Sequence, residues 1–232
     1  MNTAVAQHAK TADFVRLESV RKIYGSAPLG EIALAGVTLS LAEGSFTAVV
    51  GPAGSGKSSF LRCAAGLTRP TTGSVMLDGV KLGQLDDAEL TALRRERIGF
   101  LTADANLLPS LTVRQNVLLP LRLAGRDVND ADAAAAERAL EQVGLAELAH
   151  HRPEELTTAQ RQRVALARAL VADPMVIFAD EPTRDLDAAA AGDFLRLLRA
   201  TGRTVVLATA DPGVAGQADA TVHLDGGRLT AA

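Results

Sequence analysis

The sequence predicts an α/β domain in which helices cover a sheet with a parallel core. Short apolar strands recur between stretches with helical spacing, which is typical of such a sheet. The run Phe46–Val50 is continuously apolar and is therefore suited to a fully buried strand. Residues 106–151 instead carry several helical patterns and no strand signal, so we expect an inserted helical lobe.

The first half of the chain alternates strands and helices. Phe14–Val20 and Ile32–Leu41 alternate in polarity as antiparallel edge strands do, and they predict an antiparallel β subdomain at the edge of the parallel core. The further elements predicted before the lobe are a helix over about Lys57–Ala65, a strand over Ser74–Leu77 with an Asp78-Gly79 turn, a helix over Asp86–Arg97 and a strand over Ile98–Leu101.

Strand signals return after the helical lobe. The predicted elements are strands over Met175–Ala179, Thr204–Thr209 and Ala220–Leu224 and a helix over Ala188–Arg199. The closing sequence Leu-Asp-Gly-Gly-Arg-Leu predicts a tight hairpin, because glycine tolerates the positive φ of such turns. Residues 1–12 lack the apolar run of a signal peptide and are interpreted as a flexible tail. The domain is therefore predicted over 13–232, with the helical insert at about 106–171.

Composition and charge argue against several classes of protein. The chain is 47% hydrophobic and 22% charged, which is ordinary for a soluble α/β protein. No stretch approaches about 18 uncharged apolar residues, so we expect no membrane span. A net charge of −3 argues against nucleic-acid binding, which needs a basic face. The basic cluster Arg94, Arg95 and Arg97 is interpreted as a solvated face or a protein-docking patch, and the lone Cys63 excludes an internal disulfide and fits a cytosolic setting.

A phosphate-binding loop follows the buried strand. Residues 51–59 read Gly-Pro-Ala-Gly-Ser-Gly-Lys-Ser-Ser and fit the P-loop pattern G-x-x-x-x-G-K-[ST]. Its glycines let backbone N–H groups close around phosphate oxygens, Lys57 would reach the β- and γ-phosphates, and Ser58 would bind Mg²⁺. The alternative is an ordinary glycine-rich turn. The predicted nucleotide-binding residues here are Gly51, Pro52, Ala53, Gly54, Ser55, Gly56, Lys57, Ser58 and Ser59.

Two adjacent acids end a later apolar strand. Residues 176–183 read Val-Ile-Phe-Ala-Asp-Glu-Pro-Thr. Asp180 would hold Mg²⁺, and Glu181 would orient or deprotonate the attacking water as the catalytic residue. Adjacent carboxylates at this place are costly unless a cation offsets them, although acids often end strands for no such reason. Together with the P-loop, they predict binding of Mg-ATP.

These motifs make the chain resemble a known family. Strand, phosphate loop, helical lobe and Asp-Glu-Pro-Thr are similar to the ATP-binding subunits of ABC transporters, most of all to the lipoprotein-release and macrolide-export type. The similarity runs from about Phe14 to Leu229 and is strongest in three stretches: Arg94–Phe100, Asn106–Pro109 and Arg163–Leu170.

The resemblance implies further binding residues. Tyr24 would stack on adenine, although an ordinary edge-strand aromatic is the alternative. Asp187 would lie in a loop that faces a partner subunit. The family's signature sequence falls on 156–160, so Thr157 and Gln160 would complete the nucleotide site of the opposite subunit. Thr157-x-x-Gln160 also fits a capping box at a helix start.

The departures from the family pattern concern hydrolysis. The coupling glutamine falls on Ala103, two signature glycines fall on Thr158 and Ala159, and the switch histidine falls on Ala210. In the family these positions approach the γ-phosphate or the attacking water. Losing one transition-state contact typically costs about 100- to 1000-fold in rate. We therefore expect nucleotide binding to survive and ATP hydrolysis to be slow.

The resemblance implies a function and two alternatives. It implies a cytoplasmic ATP-binding subunit of an export complex, peripheral on the inner face of the membrane and touching the membrane only through partners. Two such subunits, identical or different, would hold Mg-ATP between them and dock on transmembrane permease subunits. One alternative is a pseudo-ATPase that binds ATP as a structural or regulatory clamp. The other is a soluble ABC ATPase outside transport, against which the single-domain length and negative charge speak.

Overall fold

The computed structural model describes residues 13–25, 30–125 and 128–230, so the predicted tail at 1–12 lies outside the described residues. The α/β class predicted from the sequence is confirmed. The strands are β1 Val15–Tyr24, β2 Glu31–Leu41, β3 Phe46–Val50, β4 Thr72–Leu77, β5 Val80–Lys81, β6 Ile98–Thr102, β7 Val176–Asp180, β8 Thr204–Thr209, β9 Ala220–Asp225 and β10 Arg228–Thr230. The α-helices are α1 Lys57–Ala64, α2 Asp87–Arg97, α3 Val113–Leu123, α4 Asp130–Gln142, α5 Thr158–Leu170, α6 Ala188–Ala200 and α7 Pro212–Ala215.

The main sheet has a parallel core. Its strand order is β10-β9-β3-β8-β7-β6, and every neighbouring pair is parallel except the terminal β9–β10 hairpin. Alternate residues of β7 point into different cores: Val176 and Phe178 join one, and Ile177 and Ala179 join the other. Burial on both faces explains why these strands are apolar without interruption. The carboxyl ends of β3, β6, β7 and β8 meet at one edge of the sheet.

The antiparallel subdomain is a sheet of its own with the order β2-β1-β4-β5. The prediction that β1 is an edge strand is wrong, because β1 pairs with β2 on one side and with β4 on the other. The predicted Asp78-Gly79 turn is confirmed, with φ of 48° and 74° at its two residues. It leads into β5, which was not predicted because two residues are too few to show an alternating pattern.

The helical lobe lies between β6 and β7, and its described residues contain helices and turns but no strand. Its three α-helices pack on one another around apolar residues such as Val117, Leu140 and Val164. Each begins with a capping box, formed by Thr112 at α3, Asn129 at α4 and Thr157 at α5. Side chains thus satisfy the first N–H groups of each helix, which defines where the helices start.

The Arg cluster and Cys63 lie outside the helical lobe. Arg94 donates to the Gly66 carbonyl at 2.8 Å, and Arg97 pairs with Asp78 at 2.9 Å. Two members of the cluster therefore connect α2 to the segment after α1 and to the Asp78-Gly79 turn. Cys63 is buried on α1, and burial raises the pKa of its thiol to about 11. Throughout the described ranges, every helix is too short or too polar to cross a membrane.

Candidate functional site

The loop between β3 and α1 needs its glycines for close packing. A Cβ at Gly51 would collide with the Leu224 carbonyl oxygen, and a Cβ at Gly56 would collide with that of Ala33. Gly56 also has φ of 102°, which side chains rarely adopt. Gly54 differs, because nothing lies within 4 Å of where its Cβ would be. The loop is therefore packed against the protein at both ends and open in the middle.

Lys57 places a cation at the mouth of this loop. Its Nζ donates to the carbonyl oxygens of Gly51 at 2.7 Å and Pro52 at 3.0 Å. The same atom lies 3.4 Å from Oε1 of Glu181, and the lysine side chain is only 7% exposed. A buried ammonium group is tolerated only when oxygen atoms surround it, and here three do so. The P-loop lysine and the predicted catalytic carboxylate are therefore direct neighbours.

The two predicted metal ligands also contact each other. Ser58 lies in the first turn of α1, and its hydroxyl donates to Oδ1 of Asp180 at 3.0 Å. Oxygen ligands are those that Mg²⁺ prefers, and the ion usually takes only one or two from the protein, with phosphate and water supplying the rest. Among the described residues, no cluster of three or more His, Cys, Asp or Glu could hold a metal ion by itself.

Glu181 has an unusual backbone conformation. Its φ is 49°, in the left-handed region that non-glycine residues seldom occupy. Its N–H donates to the Ala208 carbonyl at 2.9 Å, and its Oε2 accepts from the Ala210 N–H at 3.2 Å. Strain of this kind persists where neighbouring contacts enforce it, and it concentrates at functional sites. The carboxylate is therefore held between the Lys57 ammonium and a backbone N–H.

A cleft of about 560 Å³ joins these groups. Tyr24 stands on its wall, where its hydroxyl accepts from Ser59 at 3.4 Å. The hydroxyl of Ser55 is buried and has no hydrogen-bond partner among the described residues. It is therefore available to hydrogen-bond to a ligand in the cleft. The cleft is lined by Tyr24, Glu31, Ala33, Ala53, Gly54, Ser55, Gly56, Lys57, Ser58, Ser59, Glu181, Arg184 and Ala210.

Gly51, Pro52 and Asp180 are not among the lining residues but directly contact Lys57 or Ser58, which are. Three other predicted binding residues lie away from this cleft. Thr157 and Gln160 form the predicted capping box at the start of α5, with distances of 3.2 Å and 2.9 Å. Asp187 caps α6, where its Oδ1 accepts from the Ala190 N–H at 2.8 Å. Within one chain these side chains serve helix starts. Their predicted contact with nucleotide would require a second subunit.

The replaced family positions divide between two places. Ala210 lines the cleft with a methyl group. Ala103 and Thr158 instead line a separate side hollow of about 330 Å³, together with Asp104, Ala105, Arg161, Gln162 and Asp185. The side hollow lies between the loop after β6 and the start of α5.

Gln162 was not predicted, although it connects the loops at the edge of the sheet. Its buried Nε2 donates to the carbonyls of Thr102 at 2.8 Å, Ala103 at 3.2 Å and Pro182 at 2.7 Å. The loop after β6 is thereby fixed to the loop that follows Glu181. Helical spacing offers a signal, because Gln162 precedes a buried alanine by three positions and a buried leucine by four.

Two arginines were also missed. Arg168 donates to the carbonyls of Ala105 and Asn106, both at 2.7 Å, and so supports two residues with positive φ. Burial lowers the pKa of the Arg168 guanidinium. Arg184 follows the Asp-Glu-Pro-Thr sequence and lines the cleft. The sequence shows Arg184 only as one more charged loop residue, so no pattern distinguishes it.

The chain is similar to known ATP-binding proteins over most of its length. The profile of the ABC transporter family matches residues 34–184. The macrolide export ATP-binding/permease protein MacB of Hyphomonas neptunium is 41% identical over 222 residues; the match covers 94% of this chain but only 34% of MacB. The lipoprotein-releasing system ATP-binding protein LolD of Anaeromyxobacter dehalogenans is also 41% identical over 222 residues, covering 94% of this chain and 92% of LolD.

A solved structure is similar over nearly the whole domain. It is a dimer of the ATP-binding cassette MJ0796 of Methanocaldococcus jannaschii in a post-hydrolysis state, bound to ADP and Pi. It superposes with a TM-score of 0.85 at 38% sequence identity, covering 94% of this chain and 97% of the cassette.

Proposed function

Because the chain belongs to the ABC transporter family of P-loop ATPases, we propose that it is the ATP-binding subunit of an export-type complex. In this proposal Mg-ATP binds between two such subunits, identical or different, and transmembrane permease subunits dock on them from the membrane. The chain would then be cytoplasmic and peripheral at the inner face of the membrane, with no role for nucleic acid. The relatives named for lipoprotein release and macrolide export support the export class.

The observation that carries the proposal is a cleft that brings together the Lys57 ammonium, the Ser58 hydroxyl and the Glu181 carboxylate, with Asp180 hydrogen-bonded to Ser58 behind it. Lys57 would bind the β- and γ-phosphates, and the open middle of the loop would present N–H groups to them. Ser58 and Asp180, already 3.0 Å apart, would hold Mg²⁺. When bound, the ion neutralises charge on the phosphates. Glu181 would orient the attacking water or accept its proton.

We further propose that hydrolysis is slow. Ala210 offers Glu181 only its backbone N–H, because its side chain is a methyl group. Ala103 presents no side-chain amide, and its carbonyl is already occupied by Gln162. Thr158 and Ala159 bring Cβ atoms to the exposed start of α5. The losses in rate from the separate replacements do not simply multiply when the replaced groups act together, so a residual rate of hydrolysis is expected.

The same observations favour a second candidate from another class. A pseudo-ATPase would bind ATP and hold two subunits together without useful turnover. It needs the cleft, which is intact, and tolerates the replacements, which spare the groups for the α- and β-phosphates and the metal. The two candidates differ only in the rate of phosphate release. A soluble ABC ATPase outside transport would differ from both by lacking a membrane protein in its complex.

Nucleotide binding is tested first. Equilibrium dialysis with Mg-ATP should show binding at millimolar nucleotide or below. Lys57→Ala should weaken it by at least about tenfold, because a cation that faces several phosphate charges is removed. Lys81→Ala is the matched control, since that exposed lysine lies on β5, outside the cleft. No ATP bound to the unmodified chain would refute the proposal.

Turnover is tested by restoring the family residues. Phosphate release by the unmodified chain should be well below the roughly 10 per second of a typical enzyme. Ala103→Gln with Ala210→His, added to Thr158→Gly with Ala159→Gly, should raise it. A brisk rate before any restoration would refute slow hydrolysis. A chain that binds ATP and stays inactive after restoration would favour the clamp.

A further inference from the structure

Arg184 is a cation of the cleft that the family motifs do not account for. It lies three residues after Glu181, and its backbone N–H donates to the Glu181 carbonyl at 3.1 Å. Among the described residues that line the cleft, the cationic ones are Lys57 and Arg184. Lys57 is buried in the loop, whereas the Arg184 side chain is 56% exposed. A triphosphate seated in the cleft would therefore meet one fixed cation and one that is free to rearrange.

Two exposed carboxylates hold the guanidinium of Arg184. Its Nη2 lies 3.3 Å from Oδ1 of Asp104 and 3.5 Å from Oδ2 of Asp185. These carboxylates are 75% and 52% exposed, so water competes for both contacts. Exposed pairs of this kind contribute little free energy. A phosphate group offers more charge and a geometry that matches the planar guanidinium fork. We therefore expect a phosphate group within reach of Arg184 to displace Asp104.

We propose that Arg184 binds the terminal phosphate of ATP and, in doing so, releases Asp104. The inference rests on the proposed ATP site and assigns to it a residue that discriminates ATP from ADP. ADP lacks the phosphate that would draw Arg184 away from its carboxylates. The chain thereby replaces part of the γ-phosphate recognition lost at Ala210.

The released carboxylate belongs to the loop that leads into the helical lobe. Asp104 follows Ala103, whose carbonyl is held by Gln162, and Arg168 holds the next two carbonyls. The backbone of the loop is thus fixed on both sides of Asp104. Loss of the Arg184 contact would therefore release the Asp104 side chain without releasing the loop. Binding of the terminal phosphate by Arg184 would thus change a contact of this loop through Asp104, whereas the neighbouring Ala103 has no polar side chain that could respond to the phosphate.

The test compares ATP and ADP affinities, each with Mg²⁺, by equilibrium dialysis on the full chain. Arg184→Ala should raise the Kd for ATP about tenfold and change that for ADP less than about twofold, as expected for one charge-assisted contact. Arg184→Lys should recover part of the loss. Asp104→Asn should lower the ATP Kd by about threefold, because it removes the competing carboxylate. This gain should vanish in the double variant with Arg184→Ala.

The control is Arg196→Ala, an exposed arginine on α6 that pairs with Asp193 and should change neither affinity. Equal losses for ATP and ADP in Arg184→Ala would show a merely structural role and overturn this inference alone. A persistent Asp104→Asn gain in the double variant would also overturn it. Absence of ATP binding by the unmodified chain would overturn the proposed function together with this inference.

Discussion

Gln162 is expected to stabilise the edge of the sheet more than any exposed glutamine could. Its amide nitrogen contacts three carbonyl oxygens, those of Thr102, Ala103 and Pro182, and its side chain is 2% exposed. Gln162→Leu keeps a similar volume and removes both N–H donors. The Thr102 carbonyl keeps the Ala105 N–H as a donor at 3.3 Å. The part-buried carbonyl of Ala103 and the buried carbonyl of Pro182 lose Gln162, at a combined cost of about 2–4 kcal/mol.

One contribution to the free energy of unfolding opposes this loss. The Gln162 Oε1 is buried without a hydrogen-bond partner in the described part of the chain, and Leu removes that atom too, with a gain of about 1 kcal/mol. The expected net loss in the free energy of unfolding is about 1–3 kcal/mol. For a domain of this size, that lowers Tm by about 2–12 °C.

The assay is urea unfolding of the unmodified chain, Gln162→Leu and Gln142→Leu. Gln142 ends α4 in an exposed position, so its replacement should change the free energy of unfolding by less than about 0.5 kcal/mol. Gln162→Glu adds a check on the sign. A carboxylate facing three carbonyls would have a raised pKa, so its penalty should be absent at low pH and grow as pH rises above about 4.3. A loss in Gln162→Leu no larger than in the control would refute this account.

Three further predictions concern other parts of the molecule. Because burial raises the pKa of Cys63 to about 11, iodoacetamide at pH 8 should alkylate the native chain at least about 100-fold more slowly than the urea-unfolded chain, as measured by mass spectrometry. Gly56→Ala should lower Tm more than Gly54→Ala, since both have positive φ but only the first new methyl collides with backbone. The pKa of Asp219 is lowered by the hydrogen bond from Arg199 and, to a smaller extent, by that from the Phe46 N–H. The ionised carboxylate therefore stabilises the fold above the unfolded pKa of about 3.9, and this contribution is lost as pH falls through the folded pKa. In urea unfolding at a series of pH values, Asp219→Asn should reduce the acid-dependent loss of stability by at most about 1 kcal/mol.

The sequence predicted the elements whose pattern is strong and local. The buried strands β3 and β7 are apolar without interruption, and the P-loop has a fixed spacing, so their positions were predicted to within a residue. The pairing of β1 on both sides was not predictable. Polarity alternation reports which face of a strand is buried, whereas the number of paired edges depends on where β4 returns, which is a long-range property.

The site could be predicted only where a motif specifies a role. Ser58 and Asp180 are 122 positions apart, yet each belongs to a motif whose chemistry requires the other. Gln162 and Arg184 belong to no such pair. Their roles depend on which carbonyls or carboxylates the fold brings near them, and a chain without a known fold gives no indication of that.

The start of α5 suggests why the replaced positions can persist. Thr157 and Gln160 form a capping box, which fixes the start of the helix. Thr158 and Ala159 occupy its first two positions, and both residue types have a higher helix propensity than glycine. We therefore expect the replacements to favour stability of the lobe, while in the proposed dimer they would bring Cβ atoms toward the partner's nucleotide. A trade of stability against catalysis is common at functional sites. Restoring the two glycines should thus cost stability in the isolated chain even where it increases turnover.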